Sequence, residues 1–157
     1  MSQRSVITQE MRDAIGLESE PATHDVEKGA IIKFAEAIGD QNPLFNDEEA
    51  ARKSRYGGLI APPTFLRSMS SSTMRIQARS PYPAILDGGS NWKYFEPVRP
   101  GDRIIVTSKV TDIFERRGSL GNMIFTISES IYVNQFGKAV ATQRNTLISY
   151  QPPDKSS

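Results

Sequence analysis

The sequence predicts a single α+β domain, with a helical first half and an antiparallel, strand-rich second half. Three observations carry this expectation. Between residues 28 and 38 apolar side chains recur at helical spacing, with Ile31, Phe34, Ala35 and Ile38 on one stripe. Beyond residue 84 the pattern changes to alternation, punctuated by turn chemistry at Arg99-Pro100-Gly101-Asp102 and at Asn134-Gln135-Phe136-Gly137. A chain of 157 residues can bury one ordinary core but is too short for two full domains. The expected layout is a flexible N-terminus over 1–8, the domain over 9–150 and a flexible polar tail over 151–157.

Taken in order, residues 21–26 (PATHDV) read as a short strand carrying the single histidine, His24, as an ordinary half-exposed strand residue. The amphipathic helix over 28–38 follows, and Gly39 is suited to its C-terminal cap. The loop from Asp40 to Asp47 therefore starts at a rigid helix end. Asp47, Glu48 and Glu49 supply the acidic first turn of a second short helix, whose other end is the basic run Arg52-Lys53-Ser54-Arg55. Tyr56-Gly57-Gly58 breaks it.

A central helix is expected from Pro63 to about Ile76, with Leu66, Met69, Thr73 and Ile76 at helical spacing and proline at its favoured first position. Serines at 68, 70, 71 and 72 are poor helix formers, so an exposed serine loop is the alternative. Half-buried strands are then expected over 84–98, over 103–115 through Ile104, Val106 and Val110, over 122–133 through Phe125, Ile127, Ile131 and Val133, and over 138–150 through Val140, Ile148 and Tyr150. Glu115-Arg116-Arg117-Gly118 and Asn134-Gln135-Phe136-Gly137 are the expected hairpin turns, and Pro152 and Pro153 end the sheet.

Composition narrows the function classes. With 19 basic and 18 acidic residues the net charge is +1, which provides no field for nucleic acid. The chain has no cysteine and one histidine, which excludes disulfides and thiolate catalysis and leaves no zinc constellation. No apolar run reads as a signal peptide or approaches the roughly 20 residues that span a bilayer, so a cytoplasmic location with no membrane partner is expected.

Three segments carry a resemblance: Gly39-Asp40-x-Asn42-Pro43, the stretch 57–65 (GGLIAPPTF) and the stretch 97–102 (PVRPGD). In this order and spacing they resemble the MaoC-like hydratases and dehydratases, which add water to trans-2-enoyl thioesters or remove it from 3-hydroxyacyl thioesters. The resemblance spans roughly residues 10 to 150. It implies a single hot-dog fold, in which an antiparallel sheet wraps a long central helix. In catalytic members the loop reads Gly-Asp-x-Asn-Pro-x-His-x-Asp, and the Asp and His hold the reacting water. Here Gly39, Asp40, Asn42, Pro43 and Asp47 stand in place, but Phe45 occupies the histidine position. Hydration requires one group to take a proton from water and another to deliver one to the α-carbon. A phenyl ring does neither.

A second departure follows from the same resemblance. Catalytic relatives present a glycine N–H to the thioester carbonyl at the start of the central helix, where enolate charge develops. Pro63 stands at that position and has no N–H. The chain thus looks like the N-terminal-type half of a dehydratase. It would be the non-catalytic subunit of an (R)-specific enoyl-CoA hydratase or 3-hydroxyacyl-thioester dehydratase, shaping the acyl tunnel for a homologous hot-dog subunit that carries the Asp/His pair, as a heterodimer or heterotetramer.

On that reading Asp40 is a retained loop-fixing residue and the one remnant of the catalytic pair, while Asn42, Phe45, Pro63, Thr64 and Phe65 form tunnel and loop. No metal and no cofactor are expected; an acyl-CoA or acyl-carrier thioester is the ligand. Two alternatives remain open: a self-associating homodimeric hydratase or thioesterase using Asp40, and a non-catalytic acyl-thioester-binding protein.

Overall fold

The computed structural model describes residues 4–71 and 79–153. Thr8 opens the first helix, α1 (Gln9–Asp13), by accepting a hydrogen bond from the Met11 N–H, and Met11 is fully buried. The boundary expected at residue 9 moves outward. Val6 and Ile7 pack against Met11, Val110, Ile113 and Ile124, and the Val6 N–H donates to Glu115 Oε1 at 2.8 Å. That bond is the main reason the Glu115 carboxyl titrates below its ordinary value.

Strand β1 (Ala22–Asp25) leads into α2 (Lys28–Ala37), which buries Ile31 and Ala35. Gly39 takes a φ of +69°, and the end of α2 is a Schellman motif: the Gly39 N–H donates to Glu36 O and the Asp40 N–H to Ala35 O. Helix α3 (Glu48–Arg52) is capped by Asp47, whose Oδ1 accepts from the N–H groups of Glu49 and Ala50, both at 3.0 Å. Strands β2 (Ala84–Tyr94), β3 (Arg103–Gly118), β4 (Gly121–Val133) and β5 (Ala139–Tyr150) complete one antiparallel sheet in the order β1-β3-β4-β5-β2. The turn at Arg99–Asp102 closes as expected: the Asp102 N–H donates to Arg99 O, and Gly101 has a φ of +88°. Among the described residues, no helix is long and apolar enough to cross a membrane.

The helix expected from Pro63 to Ile76 differs. Pro63 does start a helical segment, but it is a 3-10 helix, Pro63–Ser68, and Met69 is already extended. The Ser68 hydroxyl donates to Phe65 O at 2.6 Å, a local bond that substitutes for continuation of the helix. Thr73 and Ile76 lie outside the described residues. The covered face of the sheet packs against α2 and this 3-10 helix: Val26, Ile31, Phe65, Leu66 and Met69 meet Ile104, Val106 and Tyr132.

Strand existence follows the sequence, but strand facing does not follow it everywhere. In β3, Ile104, Val106 and Val110 are buried as expected; a bulge between Val110 and Asp112 then shifts the parity, so that Ile113 turns inward. In β4 the even-numbered residues, including Ile124 and Tyr132, face the core; of the expected odd-numbered set Ile127 is buried, beside the β3 bulge, while Ile131 is 42% exposed. In β5, Val140 is buried at a second irregularity, whereas Ile148 is paired with Phe125 on the open face. The expected turn at Glu115–Gly118 is strand: the β3–β4 hairpin closes over Ser119 and Leu120, between the paired Gly118 and Gly121. The β4–β5 turn at Asn134–Gly137 stands, with the Gly137 N–H donating to Asn134 O.

Candidate functional site

The loop after α2 is organised by side-chain acceptors. Asp40 Oδ1 accepts from the Asn42 N–H at 3.0 Å, Asn42 Oδ1 accepts from the Leu44 N–H at 3.1 Å, and Asp47 caps α3. Between them Pro43–Phe45 forms a 3-10 turn, closed by the Phe45 N–H donating to Asn42 O. Asp40 is half-buried and Asn42 is exposed. Each carries a hydrogen bond to a loop N–H through its side-chain oxygen.

Phe45 is 6% exposed and packs on Ala35 of α2 and on Ile60, with Leu44 and Tyr56 at the margin. The ring is a packing element between the helix and the second loop. That second loop is tied in by the Ile60 N–H, which donates to Leu44 O at 3.1 Å, and by the Ala61 N–H, which donates to Val98 O at 2.7 Å. A guanidinium N–H of Arg99 donates to Tyr56 O, which holds the 97–102 stretch against the same region. The three sequence segments that carried the resemblance thus meet in one place.

At the start of the 3-10 helix, Pro62 is fully buried while Pro63 and Thr64 are exposed. Phe65 is buried and meets Phe34 of α2 edge-on, with ring centroids 5.5 Å apart. Phe45 and Phe65 therefore sit in different apolar clusters, both anchored on α2. His24 faces the covered side of the sheet from β1, half-buried, and its Nε2 lies 2.8 Å from Ser70 O. Among the described residues, no group of three or more His, Cys, Asp or Glu could hold a metal ion.

Sequence reading missed an aromatic cluster at the outer strand. Trp92 of β2 stacks on Tyr94 at 5.7 Å and leans on Tyr132 of β4 at 5.4 Å. The Tyr132 hydroxyl donates to Gln143 Oε1 at 3.4 Å. Burial pushes the Tyr132 phenol up to about 12, against the opposing influence of the Arg67 charge. The signal available in sequence was the period-2 placement of Trp92 and Tyr94; their partners on β4 and β5 are long-range. Among the described residues β2 is an edge strand, with Ile85 61% and Tyr94 45% exposed and Phe95 just beyond it 57% exposed.

Comparison with known proteins places this geometry. Residues 13–143 match the family model described as the FAS1-like dehydratase domain region. A UPF0336 protein of Streptomyces avermitilis is 33% identical over 131 residues, covering 80% of this chain and 85% of that protein. A probable enoyl-CoA hydratase alpha subunit of Thermomonospora curvata is 29% identical over 140 residues, covering 78% of this chain and 44% of that protein. Among solved structures, the MaoC-like dehydratase from Rhodospirillum rubrum superposes with a TM-score of 0.67 at 31% identity, covering 90% of this chain and 95% of that one. The ChsH1-ChsH2 complex from Mycobacterium tuberculosis gives a TM-score of 0.79 at 20% identity, covering 96% and 94%, a likeness of fold.

Proposed function

The chain belongs to the FAS1-like dehydratase domain family, and from that membership we propose that it is the non-catalytic hot-dog half of an (R)-specific enoyl-CoA hydratase or 3-hydroxyacyl-thioester dehydratase. A homologous hot-dog subunit supplies the Asp/His pair. The observation that carries this reading is the burial of Phe45 against Ala35 and Ile60, at the loop position where catalytic relatives carry histidine.

Syn or anti, hydration of an enoyl thioester moves one proton off water and another onto carbon, and a dyad of tuned groups does this. In this chain the remaining member, Asp40, spends an oxygen on the Asn42 N–H, and Pro63 has no N–H to offer a thioester oxygen. His24 is held at Ser70 O. What the chain contributes is apolar wall and loop scaffold, with no cofactor. The open β2 edge supports a partner: its exposed apolar residues and unpaired backbone groups suit addition of a second hot-dog sheet, which would bring the partner's pair toward this chain's loop.

The test is turnover by the isolated chain. Purified alone, it gives no hydration of crotonyl-CoA or longer trans-2-enoyl-CoA above background, followed by loss of the conjugated thioester absorbance. Activity appears when the chain is co-purified with a hot-dog subunit bearing an intact Gly-Asp-x-Asn-Pro-x-His loop. Robust turnover by the isolated chain that disappears in Asp40→Asn would overturn the reading and place a self-sufficient site here.

A further inference from the structure

The sheet has a second face, which no described helix covers, and two register rows cross it. One runs Lys109, Glu129, Arg144, Asn91 over β3, β4, β5 and β2; the next runs Thr107, Ile131, Thr142, Lys93. Between the rows lies a concavity of about 750 Å³, with Glu18 at its β3 end. Its floor is backbone and its walls are these side chains. Four strands at a spacing of about 4.8 Å make it about 15 Å long.

Charge is unevenly distributed along this trough. At the β3 end Lys109 has acidic residues on both sides, pairing through a backbone β-bridge with Glu18 and in register with Glu129. At the β2 end Arg144 and Lys93 stand beside an amide, Asn91, and a hydroxyl, Thr142, with Glu129 next to Arg144 as the one nearby acid. Among the described residues, neither Lys93 nor Arg144 is in an ion pair or a side-chain hydrogen bond. A guanidinium fork and an ammonium, with neutral donors between them, are the groups that recognise phosphoryl oxygens.

The geometry points to a binding site for a phosphorylated small molecule on the open sheet face, with its phosphates at Lys93 and Arg144. The acidic β3 end, with Glu18 and Glu129, suits hydroxyl or amino donors on the uncharged part of the same ligand. This site lies on the opposite side of the sheet from Asp40 and Phe45, and it stands whether or not the dehydratase reading holds.

The experiment is calorimetric titration of the full chain with inorganic pyrophosphate at fixed ionic strength, and in parallel with coenzyme A. Pyrophosphate should bind saturably at one site per chain. Lys93→Gln with Arg144→Gln should weaken it by about tenfold or more, and Glu129→Gln should tighten it by removing the neighbouring carboxylate. Because these side chains are not in the core, the variants should keep the wild-type circular dichroism spectrum and melting temperature, and the Glu129→Gln arm tests the site by a gain if the double variant folds poorly. Coenzyme A binding that falls in the same double variant identifies a thioester carrier as the phosphate bearer; coenzyme A binding that is absent or unaffected, with pyrophosphate lost, supports the site for another phosphorylated ligand. Non-saturable pyrophosphate heats, or an affinity unchanged in both the double variant and Glu129→Gln, overturn it.

Discussion

Replacing Phe45 by histidine restores the residue type that catalytic relatives carry, and the structure predicts that it damages the protein without reviving it. The ring is 6% exposed and its neighbours are Ala35, Ile60, Leu44 and Tyr56. Full burial of a phenylalanine contributes about 1.5–3 kcal/mol, part of which an imidazole forfeits. A buried ring nitrogen without a partner costs about 1–3 kcal/mol more, because nearby backbone groups are already used: Leu44 O accepts from Ile60 and Asn42 O from Phe45 itself. The expected loss is about 2–4 kcal/mol, or about 5–15 °C in melting temperature for a domain of this size. The sign with pH follows from burial. An apolar pocket lowers the pKa of an introduced imidazole below its ordinary value of about 6.5, so the unfolded state binds the extra proton first and the deficit grows as pH falls through that value. Thermal unfolding of Phe45→His and wild type at pH 8 and pH 5 measures both effects, and enoyl-CoA hydration by the isolated variant should stay at background. A variant as stable as wild type at both pH values, or one that turns over alone, would refute the argument that this position is a packing site.

Four further outcomes are expected. In the reconstituted complex, Asp40→Asn keeps the Oδ1 acceptor for the Asn42 N–H and should change kcat/KM by less than about threefold, whereas loss of a working acid or base costs about a hundredfold. His24→Gln should likewise leave that activity within about threefold, since the ring is engaged at Ser70 O. Gly88→Ala would place a Cβ 2.8 Å from Thr146 Cγ2 and 3.0 Å from Thr146 O, so urea unfolding should show a loss of about 1–3 kcal/mol at unchanged m. Alkaline titration by phenolate absorbance should find Tyr132, among the five tyrosines, ionising only near pH 12. Its folded pKa exceeds the unfolded value of about 10, so it contributes fully to stability below pH 10 and destabilises progressively as pH rises above that; Tyr132→Phe should remove this contribution to the alkaline fall.

Local patterns were legible in the sequence, and long-range ones were not. Helix α2, its Gly39 cap and the Asp47-capped α3 depend on neighbours within a few residues, so spacing and capping chemistry located them. Strand facing depends on the bulges at Val110/Asp112 and Tyr132/Val133, which no composition announces; the first turns Ile113 of β3 inward and the second buries Val140 of β5. The break at Met69 shows the reverse error: apolar spacing at Leu66 and Met69 counted for more than a serine, Ser68, whose hydroxyl competes for the backbone. At the site, Phe45 and Pro63 were found by motif position, while the Trp92–Tyr132–Gln143 cluster required knowing that β2, β5 and β4 are neighbours.

The loop between α2 and α3 takes its shape from Asp40, Asn42 and Asp47 and from backbone bonds at Leu44 and Ile60; no hydrogen bond in that set uses the side chain at position 45. Architecture and chemistry can therefore be inherited separately. A loop built this way keeps its outline whichever side chain stands at position 45.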